Sequence, residues 1–273
     1  LALAILIASW QLPHHSVANP RCAGELSLSG ALRPVRGIIN ITETAREKGF
    51  KTIIVPQDNA DQAALVKDIE VIGAPTLASA YLHLTGEKRL PATPRPTSPS
   101  SPKYTTDFGD IHGQDQAKRA LTIAAAGGHN ILLDGPPGAG KTMLARALVS
   151  ILPNPSYEEQ IAITKLHSLV GDSIDSIASE RPFRSPHHTA SQISLIGGGT
   201  KPLSGEISLA HYGVLFLDEI PEYPRSILEA LRQPLEDREV HVARASSRVR
   251  YPANFMLVAT KNPCPCGYYG DPD

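Results

Sequence analysis

The sequence has few cysteines, no long apolar run and almost no net charge, and each shortage excludes a class of protein. Three cysteines in 273 residues cannot build a disulfide framework. They fit a reducing compartment, so the cytoplasm is the predicted location. No run approaches the roughly 18 apolar residues of a membrane span, and we expect no membrane partner. Because 26 basic and 27 acidic residues nearly cancel, any binding to nucleic acid must come from a local patch.

The chain is long enough for two ordinary domains, and its ends indicate a piece of a longer protein. Its 273 residues, 41% of them apolar, can bury two cores. The sequence begins at Leu1 rather than Met and stops at Asp273, shortly after Cys264 and Cys266. We therefore expect a fragment that is cut at both ends. The apolar start lacks the basic leader and cleavage pattern of a signal peptide.

A stretch rich in proline and serine divides the sequence. Residues 91–103 read PATPRPTSPSSPK, a composition that removes backbone donors and offers nothing to bury. We expect an extended linker between a smaller first domain, residues 1–90, and a second domain, residues 104–273. Strand-like and helix-like patterns alternate in both domains, which predicts an α/β fold for each.

The alternation places individual elements. In the first domain, an apolar helix is predicted at the start and GELSLSG resembles a strand. A helix at 42–48, a strand at 52–55 and a helix at 61–69 follow. In the second domain, we predict helices at 114–126, 141–152 and 225–234, and strands at 130–133, 213–217 and 255–260.

Residues 130–142, NILLDGPPGAGKT, contain the P-loop pattern G-x-x-x-x-G-K-T between a buried strand and a helix. The glycines allow backbone amides to surround a phosphate, and Lys141 can reach the terminal phosphates. Thr142 can offer its hydroxyl to Mg²⁺. We therefore predict binding of ATP by a continuous set of residues: Gly135, Pro136, Pro137, Gly138, Ala139, Gly140, Lys141, Thr142 and Met143.

Two later strands end in polar side chains. The stretch GVLFLDE ends in Asp218, suited to hold Mg²⁺, and Glu219, suited to orient and deprotonate an attacking water in the manner of a Walker B pair. The strand FMLVAT is followed by Asn262, at the strand end where open parallel sheets bind ligands. We interpret Asn262 as a sensor of the γ-phosphate, with a simple turn before Pro263 as the alternative. Together with Lys141, these residues are the predicted catalytic set.

From Phe108 to Asp273 the sequence resembles the AAA+ module of magnesium-chelatase-like proteins of the ComM/YifB group. The resemblance rests on GGHNILLDGPPGAGKTMLARAL, RPFRSPHHTAS, GEISLAHYGVLFLDEIPE, LRQPLEDREVHVARA and NPCPCG. It implies a P-loop NTPase fold, a parallel sheet with flanking helices in which the Asn262 strand lies between the P-loop and Walker B strands. It also implies that the backbone of Ile111 and Gly113 lines the adenine pocket. The family's arginine finger and helical lid would follow Asp273.

The same resemblance implies a function. The protein would be a hexameric, homo-oligomeric ring ATPase that remodels or translocates DNA, like a branch-migration helicase. One alternative is the ATPase subunit of magnesium chelatase, which drives magnesium insertion into a porphyrin. A Lon-like ATP-dependent protease is a further alternative.

Residues 238–250, REVHVARASSRVR, predict a β-hairpin. Arg244, Arg248 and Arg250 give it local positive charge without an acid among residues 244–250. We interpret these arginines as contacts to DNA phosphates in the pore of a ring. Contacts between subunits and a merely solvated face are the alternatives.

A histidine pair and a cysteine pair have the residue types of a metal site without its full ligand set, although the spacing of Cys264 and Cys266 is one seen at metal sites. The side chains of His187 and His188 are adjacent, so their imidazoles point apart, and a loop role is favoured over metal binding. Cys264 and Cys266 supply only half of a zinc site, so a proline-restrained turn is favoured there. The resembled family usually has Ala-Met-Asn or a close variant where this sequence has Thr260, Lys261 and Asn262, and the role of Lys261 is left open.

The first domain resembles the proteolytic domain of Lon-type proteases, which has a ribosomal S5-type fold. The resemblance rests on GELSLSGALRPVRGI and KGFKTIIVP. Lon-type chemistry needs a serine activated by a lysine amine, and this match places the lysine at Ile39. An aliphatic side chain cannot take up a proton. We therefore expect a degenerate, N-terminally truncated Lon-like domain that acts as a scaffold.

Overall fold

A computed structural model describes residues 2–13, 20–96, 104, 106–171, 177–198, 203–243 and 248–263. At 243 and 248 it describes the backbone alone. The contacts divide the chain into two compact units. Unit 1 comprises Leu1–Pro99 and His167–Ile177, and unit 2 comprises Ser100–Leu166 and Ala178–Asp273. Residues 97–103 of the predicted linker at 91–103 lie outside the described residues, and in the described part the N–H of Thr93 donates to the carbonyl of Val71 at 2.8 Å. The boundaries of the linker stay a prediction.

Unit 1 is built on a small parallel sheet. Its described helices are α1 (Ala2–Ala8), α2 (Ile38–Glu47), α3 (Ala60–Ala63) and α4 (Leu77–Thr85). Its described strands are β1 (Pro20–Cys22), β2 (Glu25–Leu26), β3 (Leu32–Arg33), β4 (Thr52–Pro56) and β5 (Glu70–Ala74). Strands β1, β4 and β5 form the parallel sheet in that order, and β2 pairs with β3 antiparallel.

Four elements of unit 1, α2, α3, β5 and α4, differ from the sequence prediction. Helix α2 begins at Ile38 because Ile38 and Ile39 are fully buried and draw the first turn into the core. The helix predicted at 61–69 is wrong beyond Ala63, since the chain turns and Asp68 adopts a φ of 62°. Strand β5 and helix α4 were not predicted, although Thr76 and Ser79 form a capping box at the start of α4.

Unit 2 contains the larger sheet. Its described helices are α5 (Asp115–Gly127), α6 (Lys141–Ile151), α7 (Tyr157–Val170, whose last residues belong to unit 1), α8 (Gln192–Ile196), α9 (Glu206–Leu209), α10 (Arg225–Ala230) and α11 (Arg232–Asp237). Its described strands are β6 (Ile131–Asp134), β7 (Phe183–Arg184), β8 (Gly197–Gly198), β9 (Leu203–Ser204), β10 (Val214–Leu217), β11 (Glu239–Ala243), β12 (Arg248–Pro252) and β13 (Met256–Lys261). The predicted helix at 225–234 is interrupted because Pro234 has no backbone N–H to donate to residue 230.

The central sheet has the order β6-β13-β10-β7, and all its strands are parallel. This confirms the predicted P-loop type of α/β fold. Strand β10 is buried along its whole length, as expected for a strand covered on both faces. Leu144 and Leu148 of α6 join Phe216 and Val258 in one hydrophobic core. That core holds α6 against the strands and so places the start of α6 at the carboxyl edge of the sheet. In the part of the chain that the structure describes, every helix is too short or too polar to cross a membrane.

His211 stabilises unit 2 in its neutral form. Its side chain is 6% exposed, and its Nδ1 accepts a hydrogen bond of 3.0 Å from the backbone N–H of Asn254. Burial lowers the pKa of His211 to about 4, against a smaller opposing effect of Glu159. Below pH 6.5 His211 is therefore protonated in the unfolded chain but stays neutral in the folded chain. The linkage opposes folding increasingly as the pH falls towards 4.

We expect the free energy of unfolding to fall between pH 6.5 and pH 4 by up to about 3 kcal/mol through His211. Denaturant titrations at several pH values will measure it. His211→Asn, which retains an acceptor, is expected to flatten the decline, whereas His112→Gln at an exposed position is expected to leave it unchanged. Equal pH slopes for His211→Asn and the parent protein would contradict this role.

Candidate nucleotide-binding site

The carboxyl ends of three neighbouring strands meet at one edge of the unit 2 sheet. Strand β13 lies between β6 and β10, with Lys261 opposite Asp134 and Ala259 opposite Leu217. Three adjacent strand ends are therefore followed by functional residues: β6 by the phosphate loop, β13 by Asn262 and β10 by the two acids. This is the strand order that the resemblance implies.

The loop between β6 and α6 has the backbone that its glycines allow. Gly138 and Gly140 both have a φ of 79°, in the left-handed region that glycine adopts without steric cost. Helix α6 starts directly after Gly140, so its unpaired amides face the end of the loop. Partial positive charge collects at this helix end, where an anion is stabilised.

Lys141 lies over the mouth of the loop. Its Nζ donates to the carbonyl oxygens of Gly135 and Pro136, at 2.5 and 2.9 Å, and to Oδ1 of Asn262 at 3.0 Å. The ammonium is thus held by oxygen acceptors that phosphate oxygens can replace. Lys141 and Asn262, 121 positions apart in sequence, are brought into direct contact.

The acids after β10 are tied to residues on both sides. Oδ2 of Asp218 accepts from the hydroxyl of Thr142 at 3.1 Å, and its Oδ1 accepts from the hydroxyl of Thr260 at 2.5 Å. Asn262 donates from Nδ2 to Oε1 of Glu219 at 3.4 Å. The predicted catalytic residues therefore form one connected polar network with the first residues of α6.

A cavity of about 430 Å³ opens over this network. It is lined by the loop and the strand ends: Pro137, Gly138, Ala139, Gly140, Lys141, Thr142, Met143, Asp218, Glu219, Thr260 and Asn262. Thr142 and Asp218 offer it a hydroxyl and a carboxylate, the hard oxygen donors that Mg²⁺ prefers. Among the described residues, no group of three or more histidines, cysteines and acids could hold a metal ion. The donor set fits a Mg²⁺ that takes its other ligands from phosphates and water.

The predicted adenine segment lies against the phosphate loop. Gln114, at a φ of 57°, donates from Nε2 to the backbone carbonyl of Ala139 at 3.1 Å. The Ile111 side chain is buried in the core, and its carbonyl accepts from the amine of Lys118. Neither Ile111 nor Gly113 is among the cavity-lining residues, so their contact with adenine stays a prediction. Sequence reasoning missed Gln114, although it directly follows Gly113 in the stretch DIHGQ at residues 110–114.

Lys261 pairs with an acid on the neighbouring strand and is not among the cavity-lining residues. Its Nζ lies 3.0 Å from Oδ2 of Asp134, the residue opposite it on β6, and both side chains are nearly half exposed. This ion pair bridges the ends of two strands. An exposed pair of this kind contributes little to stability.

The segment RPFRSPHHTAS, which contains His187 and His188, contacts the residues that follow Glu219. The hydroxyl of Tyr223 donates to the carbonyl of Pro186 at 2.6 Å. Burial, with a smaller contribution from Asp218, raises the pKa of Tyr223 to about 12, so the hydroxyl keeps its proton. Nδ1 of His187 and Oγ1 of Thr189 lie 2.8 Å apart in a hydrogen bond. The structure thus gives His187 a local loop contact. The expectation that the two imidazoles point apart is wrong, since the ring centroids of His187 and His188 lie 4.1 Å apart at an interplanar angle of 35°. Cys264 and Cys266 lie outside the described residues.

The hairpin predicted at 238–250 is present as β11 paired with β12. Val240 and Val242 are buried on one face, while His241 and Arg250, opposite each other in register, are on the exposed face. Nη1 of Arg250 lies 3.5 Å from Oε2 of Glu239. Arg244 lies outside the described residues, as does the side chain of Arg248.

Comparison with known proteins gives consistent matches over nearly the whole chain. A family profile described as magnesium chelatase, subunit ChlI, matches residues 107–273, and one described as subunit ChlI of Mg-chelatase matches residues 1–59. The chain is 46% identical over 270 residues to the uncharacterized protein YifB of Escherichia coli K12, covering 98% of this chain and 53% of YifB. It is 46% identical over 274 residues to the competence protein ComM of Haemophilus influenzae, covering 98% of this chain and 54% of ComM. The chain thus spans about half the length of these curated relatives.

Among solved structures, one match is a cryo-EM based complex of subunits BchI and BchD of magnesium chelatase. It has a TM-score of 0.46 and 23% identity, and covers 62% of this chain and 57% of that chain.

Proposed function

The chain belongs to the magnesium chelatase subunit ChlI family, in the group of AAA+ proteins that includes YifB and ComM, and from this premise we propose that it hydrolyses ATP as the core of a motor acting on DNA. The observation that carries the proposal is the single network joining Lys141, Asp218, Glu219 and Asn262 at one edge of the sheet. A strand end used only as a turn would not bring a cation, two acids and an amide around one cavity.

Each side chain has a role that its contacts support. Bound ATP with Mg²⁺ supplies a γ-phosphoryl group open to in-line attack by water. Lys141 would hold phosphate oxygens in exchange for its present carbonyl acceptors, and Thr142 and Asp218 would hold the metal. Oε1 of Glu219 orients the water and accepts its proton. Asn262 contacts both Lys141 and Glu219, so it can couple the state of the phosphate to the base.

The DNA part of the proposal comes from the ComM/YifB resemblance and from the hairpin. Strands β11 and β12 present Arg250 and His241 on their exposed face, and two further arginines lie at 244 and 248. In a hexameric ring, a hairpin of this kind would offer its cations to DNA phosphates in the pore. The pairing of Arg250 with Glu239 reduces the positive charge available there.

We expect substitution of Arg244, Arg248 and Arg250 by glutamine to remove stimulation of ATP hydrolysis by DNA while leaving the basal rate intact. A plot of the logarithm of the DNA-binding constant against the logarithm of the salt concentration should become less steep, its slope falling in magnitude by about two to three. Each lost phosphate contact removes about 0.9 from this slope for duplex DNA. ATPase assays with single-stranded, duplex and branched DNA will measure the effect. Arg232→Gln is the matched control, since Arg232 is exposed and pairs with Glu229 at 3.3 Å. Undiminished stimulation in the triple variant would contradict a role of the hairpin in DNA binding.

The alternative, an ATPase subunit for magnesium insertion into a porphyrin, is favoured by the descriptions of the matching family profiles and by a distant identity of 30% over 162 residues to a magnesium-chelatase 67 kDa subunit. The identity to YifB and ComM extends through residues 1–90 as well as the P-loop region. An assay of ATP-dependent magnesium insertion separates the two functions. For unit 1 we propose a degenerate Lon-like scaffold, because Ile39, where the catalytic lysine would fall, is aliphatic and fully buried.

A further inference from the structure

Thr260 contacts both acids of the Walker B pair from the neighbouring strand. It is the fifth residue of β13, and its side chain is fully buried. Its hydroxyl donates to Oδ1 of Asp218 at 2.5 Å and accepts from the backbone N–H of Glu219 at 2.8 Å. A threonine hydroxyl has one donor and two acceptor positions, so both bonds can form at once.

The first bond restrains the Asp218 carboxylate. Thr142 donates to its Oδ2 and Thr260 to its Oδ1, from α6 and β13 respectively. With both oxygens held by hydroxyls, rotation of the carboxylate breaks at least one charge-assisted hydrogen bond. Thr260 therefore keeps the carboxylate plane in one orientation while the Thr142 side is free to exchange its partner for a metal ion.

The second bond restrains the backbone of Glu219. Glu219 has a φ of 52°, in the left-handed region that residues other than glycine seldom adopt. Such conformations persist where surrounding contacts determine them, and they cluster at functional sites. The N–H of Glu219 is fixed by Thr260 at one side of this residue, and its carboxylate lies 3.4 Å from Nδ2 of Asn262 at the other.

We propose that Thr260 is a positioning residue that sets the orientation of both Asp218 and Glu219 through its single hydroxyl. The inference rests on the proposed ATP hydrolysis. It goes beyond that proposal because Thr260 is not among the site residues predicted from the sequence. Thr260 lies at the cavity wall, and its hydroxyl is engaged by Asp218 and the backbone of Glu219. It acts through the two acids, and its removal should affect metal binding and turnover together.

The test compares Thr260→Val with Thr260→Ser in the intact protein. Valine keeps the volume and the branched shape but lacks the hydroxyl, whereas serine keeps the hydroxyl. We expect Thr260→Val to lower kcat about ten- to hundredfold, as for loss of a hydrogen bond to a charged group, and to raise the Mg²⁺ concentration for half-maximal rate several-fold. Thr260→Ser should restore both to within about threefold.

Thr164→Val is the matched control for loss of a buried hydroxyl. Thr164 is also fully buried, donates to the carbonyl of Gln160 at 2.6 Å and accepts from the N–H of Ala178 at 3.0 Å. It lies outside the cavity-lining set, so Thr164→Val should lower stability without changing kcat. A parent-like kcat in Thr260→Val, or a defect in Thr260→Ser as large as that in Thr260→Val, would overturn the proposal.

A binding measurement separates this inference from the proposed ATPase function. Electron paramagnetic resonance titration of Mn²⁺ in the presence of ATP reports the metal site without turnover. We expect weaker Mn²⁺ binding in Thr260→Val and parent-like binding in Thr260→Ser and Thr164→Val. If the parent protein binds Mn²⁺ with ATP but does not hydrolyse it, the proposed function fails, and the Mn²⁺ affinities still decide the role of Thr260. Equal affinities in all variants would refute it.

Discussion

Replacing Lys141 by alanine is expected to abolish measurable binding of ATP with Mg²⁺, a loss of at least about a hundredfold in affinity. The ammonium of Lys141 is the cation placed at the mouth of the phosphate loop, where it contacts Gly135, Pro136 and Asn262. Alanine leaves the loop amides and the helix end but removes the charge that compensates the terminal phosphates. Isothermal titration calorimetry of the intact protein will measure the change.

Lys261→Ala is the control for loss of a positive charge at the same sheet edge. Its ammonium pairs with Asp134 rather than with the loop, and both side chains are nearly half exposed. We expect its affinity for ATP to stay within about threefold of the parent value, because exposed ion pairs contribute little. Nucleotide binding that survives Lys141→Ala, or that is lost equally in Lys261→Ala, would remove the phosphate loop as the basis of the site.

The sequence predicted the core of the fold well because the informative patterns are local. The strand, glycine loop and helix around Lys141 occupy one continuous stretch, and β10 and β13 are short apolar runs that stop at polar residues. Several elements without such a local sequence pattern were missed. Helix α7 carries no motif, and its last residues, 167–170, belong to unit 1 although they follow the P-loop in sequence.

The site residues that sequence reasoning missed were missed for a different reason. Their roles depend on contacts between strands. Thr260 reads as an ordinary β-branched strand residue, and only the register of β13 beside β10 shows that its hydroxyl meets Asp218 and the backbone of Glu219. The partner of Lys261 likewise follows from its pairing with Asp134 across β6. Sequence spacing places functional groups at the ends of strands, whereas strand order and register decide which of them touch.

Glu219 differs from Asp218 in its surroundings, and this difference assigns it the role of base. Both oxygens of Asp218 accept from hydroxyls, which suits a fixed ligand. Glu219 is exposed to the cavity and has one long contact, 3.4 Å from Nδ2 of Asn262 to Oε1. A carboxylate with free acceptor positions can bind a water and take its proton.

Glu219→Gln is therefore expected to retain ATP binding and lose turnover, with kcat reduced about a hundred- to ten thousandfold. Glutamine keeps the length and the contact with Asn262 but cannot accept a proton. Single-turnover hydrolysis and calorimetry will separate the two effects, with Kd expected within about threefold of the parent value. Glu222→Gln, at an exposed acid three residues along the same segment, should keep normal turnover. If Glu219→Gln hydrolyses ATP at the parent rate, water must be activated by another group, and the network around Asp218 would then serve binding alone.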